Sequence, residues 1–216
     1  GYECEKIAIE KIKHFISKDA FNIDGLGKKV VEKFWDLKLI RLPQDIFILN
    51  YAKISNLDGW GELSTSNLKN SIDKSKEVSL ERFIYSIGIR HIGNENAKLI
   101  ATNLKTINNF LELVKDHNFT QLSNIDGMGE TQIKSLNLFF NNQVNKNVVL
   151  ELSKILNIKR KRIDERGKFK NKNFLFTGKL ENMSRAEAKS LIENNSGSVV
   201  SSVNKKLDFL VVGEKP

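Results

Sequence analysis

Through the first two thirds of the chain, apolar residues recur at intervals of three and four, the spacing that lines one stripe of an α-helix. The period predicts helices over Ile7–Ser17, Lys28–Leu37, Gln44–Lys53, Glu62–Lys76, Leu80–Ile87, Asn94–Leu104, Asn108–Lys115 and Glu130–Phe140, with a short FTQLSN turn after the seventh. In the second of these, Val30, Val31, Phe34 and Trp35 fall on the buried stripe. Pro43 stands where a helix can begin, because a first-turn residue needs no amide donor. The last 44 residues have a different pattern. Phe174–Thr177, Ser198–Ser201 and Phe209–Val212 are short apolar runs of strand type, and Arg185–Asn194 reads as a helix capped by Ser184.

Between the helices one short motif recurs: apolar, any residue, Gly, apolar, Gly. The copies are IDGLG at Ile23–Gly27, LDGWG at Leu57–Gly61, IRHIG at Ile89–Gly93 and IDGMG at Ile125–Gly129, starting 34, 32 and 36 residues apart. The third carries His91 in the first glycine position. Each copy joins two predicted helices, so the unit is helix, glycine-containing hairpin, helix.

Glycine permits positive φ and close approach of another backbone. The apolar residue between the glycines (Leu26, Trp60, Ile92, Met128) plugs the core and fixes the turn. The second glycine then opens a helix whose first amides lack intrahelical acceptors and lie at the positive end of the helix dipole. A phosphate can be held there by backbone donors alone. A single copy is no more than a tight helix connection; four at near-regular spacing favour a repeated anion site. The aspartates of IDG and LDG are expected to cap the turns.

Charge sharpens this reading. The chain has 216 residues and a net charge of +9, but its first 156 residues hold 21 basic and 19 acidic side chains. Residues 157–172, NIKRKRIDERGKFKNK, carry eight Lys or Arg against two acids. Such a run serves either as a solvated linker or as a strap that follows phosphates. A hairpin region this close to neutral must draw on backbone donors to bind DNA. With 40% hydrophobic residues the chain has enough apolar content for a core. It has no run of about 18 apolar residues and no signal-peptide layout, so no membrane association and a cytoplasmic setting are expected. A single cysteine, Cys4, excludes an internal disulfide framework.

These residues resemble the helix-hairpin-helix motif, and four in tandem resemble the DNA-binding domain of bacterial NAD-dependent DNA ligases. KHFISKDAFNIDGLGKKVVEKF (Lys13–Phe34) is similar to that family's first repeat, and SIGIRHIGNENAKLIA (Ser86–Ala101) to its third, which also lacks the first glycine. FLFTGKL, MSRAEAKSLIE and SSVNKKLDFLVVGE resemble the first half of the BRCT domain that follows, with Ser196-Gly197 where two glycines are usual. The expected fold is therefore mainly α: four tandem helix-hairpin-helix repeats, then a small truncated α/β BRCT-like piece. The expected divisions are 1–22 (zinc-finger remnant and lead-in helix), 23–156 (hairpin domain), 157–172 (basic linker) and 173–216 (half a BRCT domain).

The resemblance implies sequence-independent binding of nicked double-stranded DNA, from the minor-groove side and through the backbone, in DNA replication and repair within the bacterial cytosol or nucleoid. The expected contacts are Gly25, Gly27, Lys28, Lys29, Gly59, Gly61, Arg90, His91, Gly93, Gly127 and Gly129. Thr177, Gly178, Arg185, Lys205 and Lys206 resemble the phosphate pocket of some BRCT domains, though a solvent-facing turn and an ordinary basic loop are the first reading of these residues. Cys4 matches the last of four zinc ligands, its three companions lying upstream. NAD, Mg and Zn are implied for the full-length ligase and none for this stretch. The family's adenylated lysine lies in a KxDG sequence of an upstream catalytic domain; here NIDG, NLDG and NIDG offer no nucleophile. No catalytic residue is expected, and the stretch alone is expected to be inactive. The other open reading is a repair scaffold or nuclease-associated module that binds DNA through its hairpins and a protein through BRCT. A glycosylase fits poorly, since those enzymes pair one hairpin with a catalytic pocket.

Overall fold

The computed structural model describes every residue except 1, 3, 160–166, 179, 181, 182, 184, 201, 204–206, 215 and 216, and the side chains of 185–187, 190 and 194 also lie outside the description. The chain divides into two compact units, residues 1–160 and 161–216.

The first unit is helical: α1 Glu5–Phe15, α2 Lys28–Asp36, α3 Tyr51–Ser55, α4 Glu62–Ser75, α5 Leu80–Ser86, α6 Asn94–Leu104, α7 Ile107–Asp116, α8 Glu130–Asn141 and α9 Gln143–Ile155. Two 3-10 turns, Pro43–Ile48 and Thr120–Asn124, and two short strands, β1 Glu77–Ser79 and β2 Asn157–Lys159, complete it. The helices begin where the sequence supplies acceptors for free amides. Ser79 accepts from Arg82 N, Thr106 from Asn109 N, and Asn142 from Asn145 N. α2 buries Val31, Phe34 and Trp35, a stripe at three- and four-residue spacing. α7 stops at His117, which turns left-handed at φ 52°.

The helix expected over Gln44–Lys53 is divided. Asp45 Oδ2 accepts from Arg41 N and Leu42 N, both at 2.8 Å, and holds a 3-10 turn. Asn50 Oδ1 then accepts from Lys53 N and starts α3 separately. Local side-chain acceptors of this kind compete with a continuous helix.

A continuous apolar cluster runs from Ala8 in α1 to Leu156 beyond α9, with Phe15, Phe34, Phe83, Phe110 and Phe119 fully buried. The ends of the unit meet. Lys11 of α1 lies between the rings of Tyr2 and Phe139, 4.7 and 4.8 Å from their centroids, and its Nζ donates to Asn145 Oδ1 of α9. Burial holds the Lys11 ammonium below its ordinary range. β1 pairs in parallel with β2, Val78 opposite Ile158. The repeats therefore close on one another, unlike an open solenoid in which each touches only its neighbours.

In the second unit β3 (Asn173–Thr177) lies between β4 (Ser198–Val199) and β5 (Phe209–Val212), all parallel, with α10 (Arg185–Asn194) between β3 and β4 in the chain. Phe174 stacks on Phe209 and meets Phe169 edge-on, and with Ala188 and Ile192 it forms the small core. Gly197 is sterically required, since a Cβ there would fall 2.6 Å from Ile192 Cγ2.

The run 157–172, expected to be a linker, is structured at both ends. Residues 157–159 are β2 of the first unit, while Phe169 N donates to Asn195 O within the second. Ile158 and Phe169, one apolar residue at each end of the charged run, are what anchor it. The expected cap Ser184 lies outside the described residues.

Candidate nucleic-acid interface

The four hairpins share one turn. In each, the fourth residue donates its amide to the carbonyl of the first: Leu26 to Ile23, Trp60 to Leu57, Ile92 to Ile89 and Met128 to Ile125, at 2.9–3.3 Å. The third residue takes positive φ: 84° at Gly25, 78° at Gly59, 62° at His91 and 90° at Gly127. A four-residue turn with positive φ at its third position is the type II pattern, which glycine adopts without strain. His91 adopts it too, so the third copy keeps the geometry despite losing the glycine. The plug residues Leu26, Ile92 and Met128 are buried, and Trp60 is half-buried against Phe34, with ring centroids 5.4 Å apart.

His91 is exposed, and among the described residues its ring makes no hydrogen bond, ion pair or ring contact, so its left-handed backbone carries a cost without an evident return. His91→Gly should therefore raise the melting temperature slightly, by no more than about 4 °C, since glycine's freedom in the unfolded chain offsets part of the relief. A lower melting temperature would show that the ring contributes more than the strain removes.

The fifth residue of each hairpin, Gly27, Gly61, Gly93 or Gly129, is the N-cap of α2, α4, α6 or α8. All four are exposed, and none has positive φ. A Cβ added at Gly27, Gly61 or Gly93 would meet nothing within 4 Å, so the space beside these three Cα atoms is open. Lys28 and Lys29 are the first two residues of α2, and Arg90 is the second residue of the third hairpin; all three are exposed.

The hairpins pack in pairs. Gly25 faces Leu68 of α4, Asp24 N donates to Ser71 Oγ of α4 at 2.8 Å, and Lys33 Nζ donates to Asp58 O of the second hairpin at 2.6 Å. Likewise Gly127 faces Leu99 of α6. The first pair is braced from α1, where Lys13 bridges Glu10 and Glu32 at 2.7 Å each, and both bonds raise the lysine's pKa.

Two features differ from expectation. Asp24, Asp58 and Asp126 are exposed, and among the described residues their carboxylates make no capping bond. The capping oxygens come instead from Ser64, whose Oγ accepts from Gly61 N at 3.0 Å, and Gln132, whose Oε1 accepts from Gly129 N at 3.1 Å. The signal was present as a polar residue three positions after the helix-opening glycine.

The remaining candidates lie elsewhere. Thr177 ends β3 and Gly178 follows it; Thr177 O accepts from Gly213 N, and Gly178 has φ 70° with no room for a Cβ beside Glu214 O. Lys205, Lys206 and the Arg185 side chain lie outside the described residues. Cys4 is exposed at the N-cap of α1. Among the described residues no three His, Cys, Asp or Glu side chains are grouped to hold a metal ion. No described helix is long and apolar enough to cross a membrane.

Comparison with known proteins agrees with this geometry. The helix-hairpin-helix motif family matches residues 82–149, the third and fourth hairpins, and the BRCA1 C Terminus (BRCT) domain family matches 164–216. A DNA ligase of Pelagibacter ubique is 64% identical over 217 residues, covering all of this chain and 32% of the relative. DNA ligases of Rickettsia bellii and Rickettsia typhi are 40% and 39% identical, each over 99% of this chain and 33% of the relative. Together these matches fit the C-terminal region of a bacterial DNA ligase. The chain spans about a third of the length of the curated relatives it matches. In this ligase region the second hairpin pair, matched by the motif family, has the same turn geometry as the first, which that match does not reach.

Proposed function

We propose that this chain is the DNA-holding part of an NAD-dependent DNA ligase, its tandem helix-hairpin-helix region binding nicked duplex DNA. The observation that carries this is the repeated turn: four exposed glycines, each the N-cap of a helix whose first-turn amides have no intrahelical acceptor. Such donors contact phosphate oxygens, which every sequence presents alike. Sealing a nick at any sequence requires that kind of grip, applied from the minor-groove side on both flanks of the break. The near-neutral balance of the first 156 residues fits a grip made largely by backbone dipoles.

On this reading adenylation from NAD, with Mg, belongs to upstream catalytic domains of the same protein, and Cys4 completes a zinc site only with ligands from there. The setting is the bacterial cytosol or nucleoid, in DNA replication and repair.

Titrating the chain against two unrelated duplexes, each nicked and intact, at several salt concentrations tests the proposal. Equal affinity for both sequences and a linear fall in log affinity with log salt are expected. Strong preference for one sequence, or no binding to either at low salt, would sink it. Incubation with radiolabelled NAD should leave no adenylate on the chain, and labelled protein would show a nucleophile that the reading lacks.

A further inference from the structure

We propose that the four hairpins are not equivalent, and that the duplex is gripped through the first and third, one from each pair, while the second and fourth are occupied by their own side chains. This rests on the DNA-holding reading above and says which amides do the holding.

Two independent observations point the same way. The first is occupancy of the helix-opening amide. Gly61 N already donates to Ser64 Oγ, and Gly129 N to Gln132 Oε1. A phosphate reaching either amide must first displace that oxygen, so the exchange gains little. The third residue of α2 is Val30, which has no acceptor. In α6 it is Asn96, whose Nδ2 donates back to His91 O at 2.9 Å. No side chain among the described residues takes Gly27 N or Gly93 N.

The second is charge. α2 opens on Lys28 and Lys29, both exposed, with no acid in its first turn. The third hairpin carries exposed Arg90 in the turn itself, against Glu95 in the first turn of α6. By contrast α4 opens on Glu62 and α8 on Glu130. The Glu130 carboxylate is held below the usual range by its bond to Lys134 at 2.6 Å, so it stays ionised. A carboxylate there suits a free helix start but repels an incoming phosphate. Lys33, which reaches the second hairpin's turn, is committed to Asp58 O.

Because the first and second hairpins pack together, as do the third and fourth, each pair presents one open and one self-capped hairpin. The duplex would then be held at two places on the unit, with the capped hairpins acting as braces.

The same substitution at equivalent positions separates the alternatives. Gly27→Val, Gly93→Val and Gly61→Val each place a branched side chain in open space on extended backbone, so the fold is retained, which melting curves would verify. Binding to a fluorescent intact duplex and its nicked counterpart is read at several salt concentrations. Gly27→Val and Gly93→Val should each weaken binding about tenfold and lower the salt slope by about one unit, whereas Gly61→Val should stay within about twofold of the parent. Lys28→Gln with Lys29→Gln, and separately Arg90→Gln, are surface changes that cannot unfold the unit. They should weaken binding, while Glu62→Gln should not. Equal losses at Gly27, Gly93 and Gly61 would overturn the partition and leave the DNA-holding reading standing. Failure of the parent chain to bind either duplex would overturn that reading itself.

Discussion

Phe110→Ala should lower the stability of the first unit by about 3–5 kcal/mol, the usual cost of deleting a fully buried ring. Phe110 is on α7, edge-on to Phe140 with centroids 6.0 Å apart, and Phe140 stacks on Phe119 at 5.1 Å. In a close-packed core the surroundings relax only partly, so the cavity term adds to the lost transfer energy. A domain of this size has about 5–15 kcal/mol in hand, and the loss should move its melting temperature down by about 6–20 °C. The location matters as much as the magnitude. Phe15, at the other end of the sequence repeats, stacks on Phe21 at 4.2 Å, and the Lys11 bridge to Asn145 ties its helix to α9. Phe15→Ala and Phe110→Ala should therefore each shift one common transition, followed by circular dichroism. Two separated transitions would mean that the hairpin pairs fold independently and that the closure is weak.

The helices flanking the hairpins were legible because each has a solvent face and a core face, so burial is written into the spacing of apolar residues. α6 falls on the expected Asn94–Leu104 without a change of boundary. The third hairpin was legible although His91 replaces glycine, because neighbouring Ile89, Ile92 and Gly93 keep their spacing. What escaped reading depended on contacts far apart in the chain. β1 and β2 are three residues each and exist only by pairing with each other across 80 positions. The break before α3 hinges on one Asn side chain choosing a local amide. At the interface, sequence supplied the glycines and nearby cations. It did not reveal that Ser64 and Gln132 already hold two of the four amides, since a residue three positions into a helix points toward the cap in some structures and to solvent in others.

The two glycines of the first, second and fourth hairpins have different roles, and valine should tell them apart. At Gly25 φ is 84°, and at Gly127 it is 90°, a region that branched side chains enter only at a cost. The backbone strain alone is about 1–3 kcal/mol. Crowding adds to it, because a Cβ on Gly127 would stand 3.0 Å from Leu99 Cδ1 and one on Gly25 would face Leu68 at 3.7 Å, before any branch is counted. These contacts lie between the paired hairpins, so relieving the clash means pushing the pair apart. Gly25→Val and Gly127→Val should accordingly lose stability by several kcal/mol, Gly127→Val more. Gly27→Val, two residues away at φ −73° and in open space, should lose less than about 1 kcal/mol, the penalty for a poorer N-cap. Urea unfolding of the three variants measures the order. If Gly27→Val proves as costly as Gly25→Val, the helix-opening glycine is itself a folding requirement, and weaker DNA binding by that variant could no longer be assigned to a blocked amide.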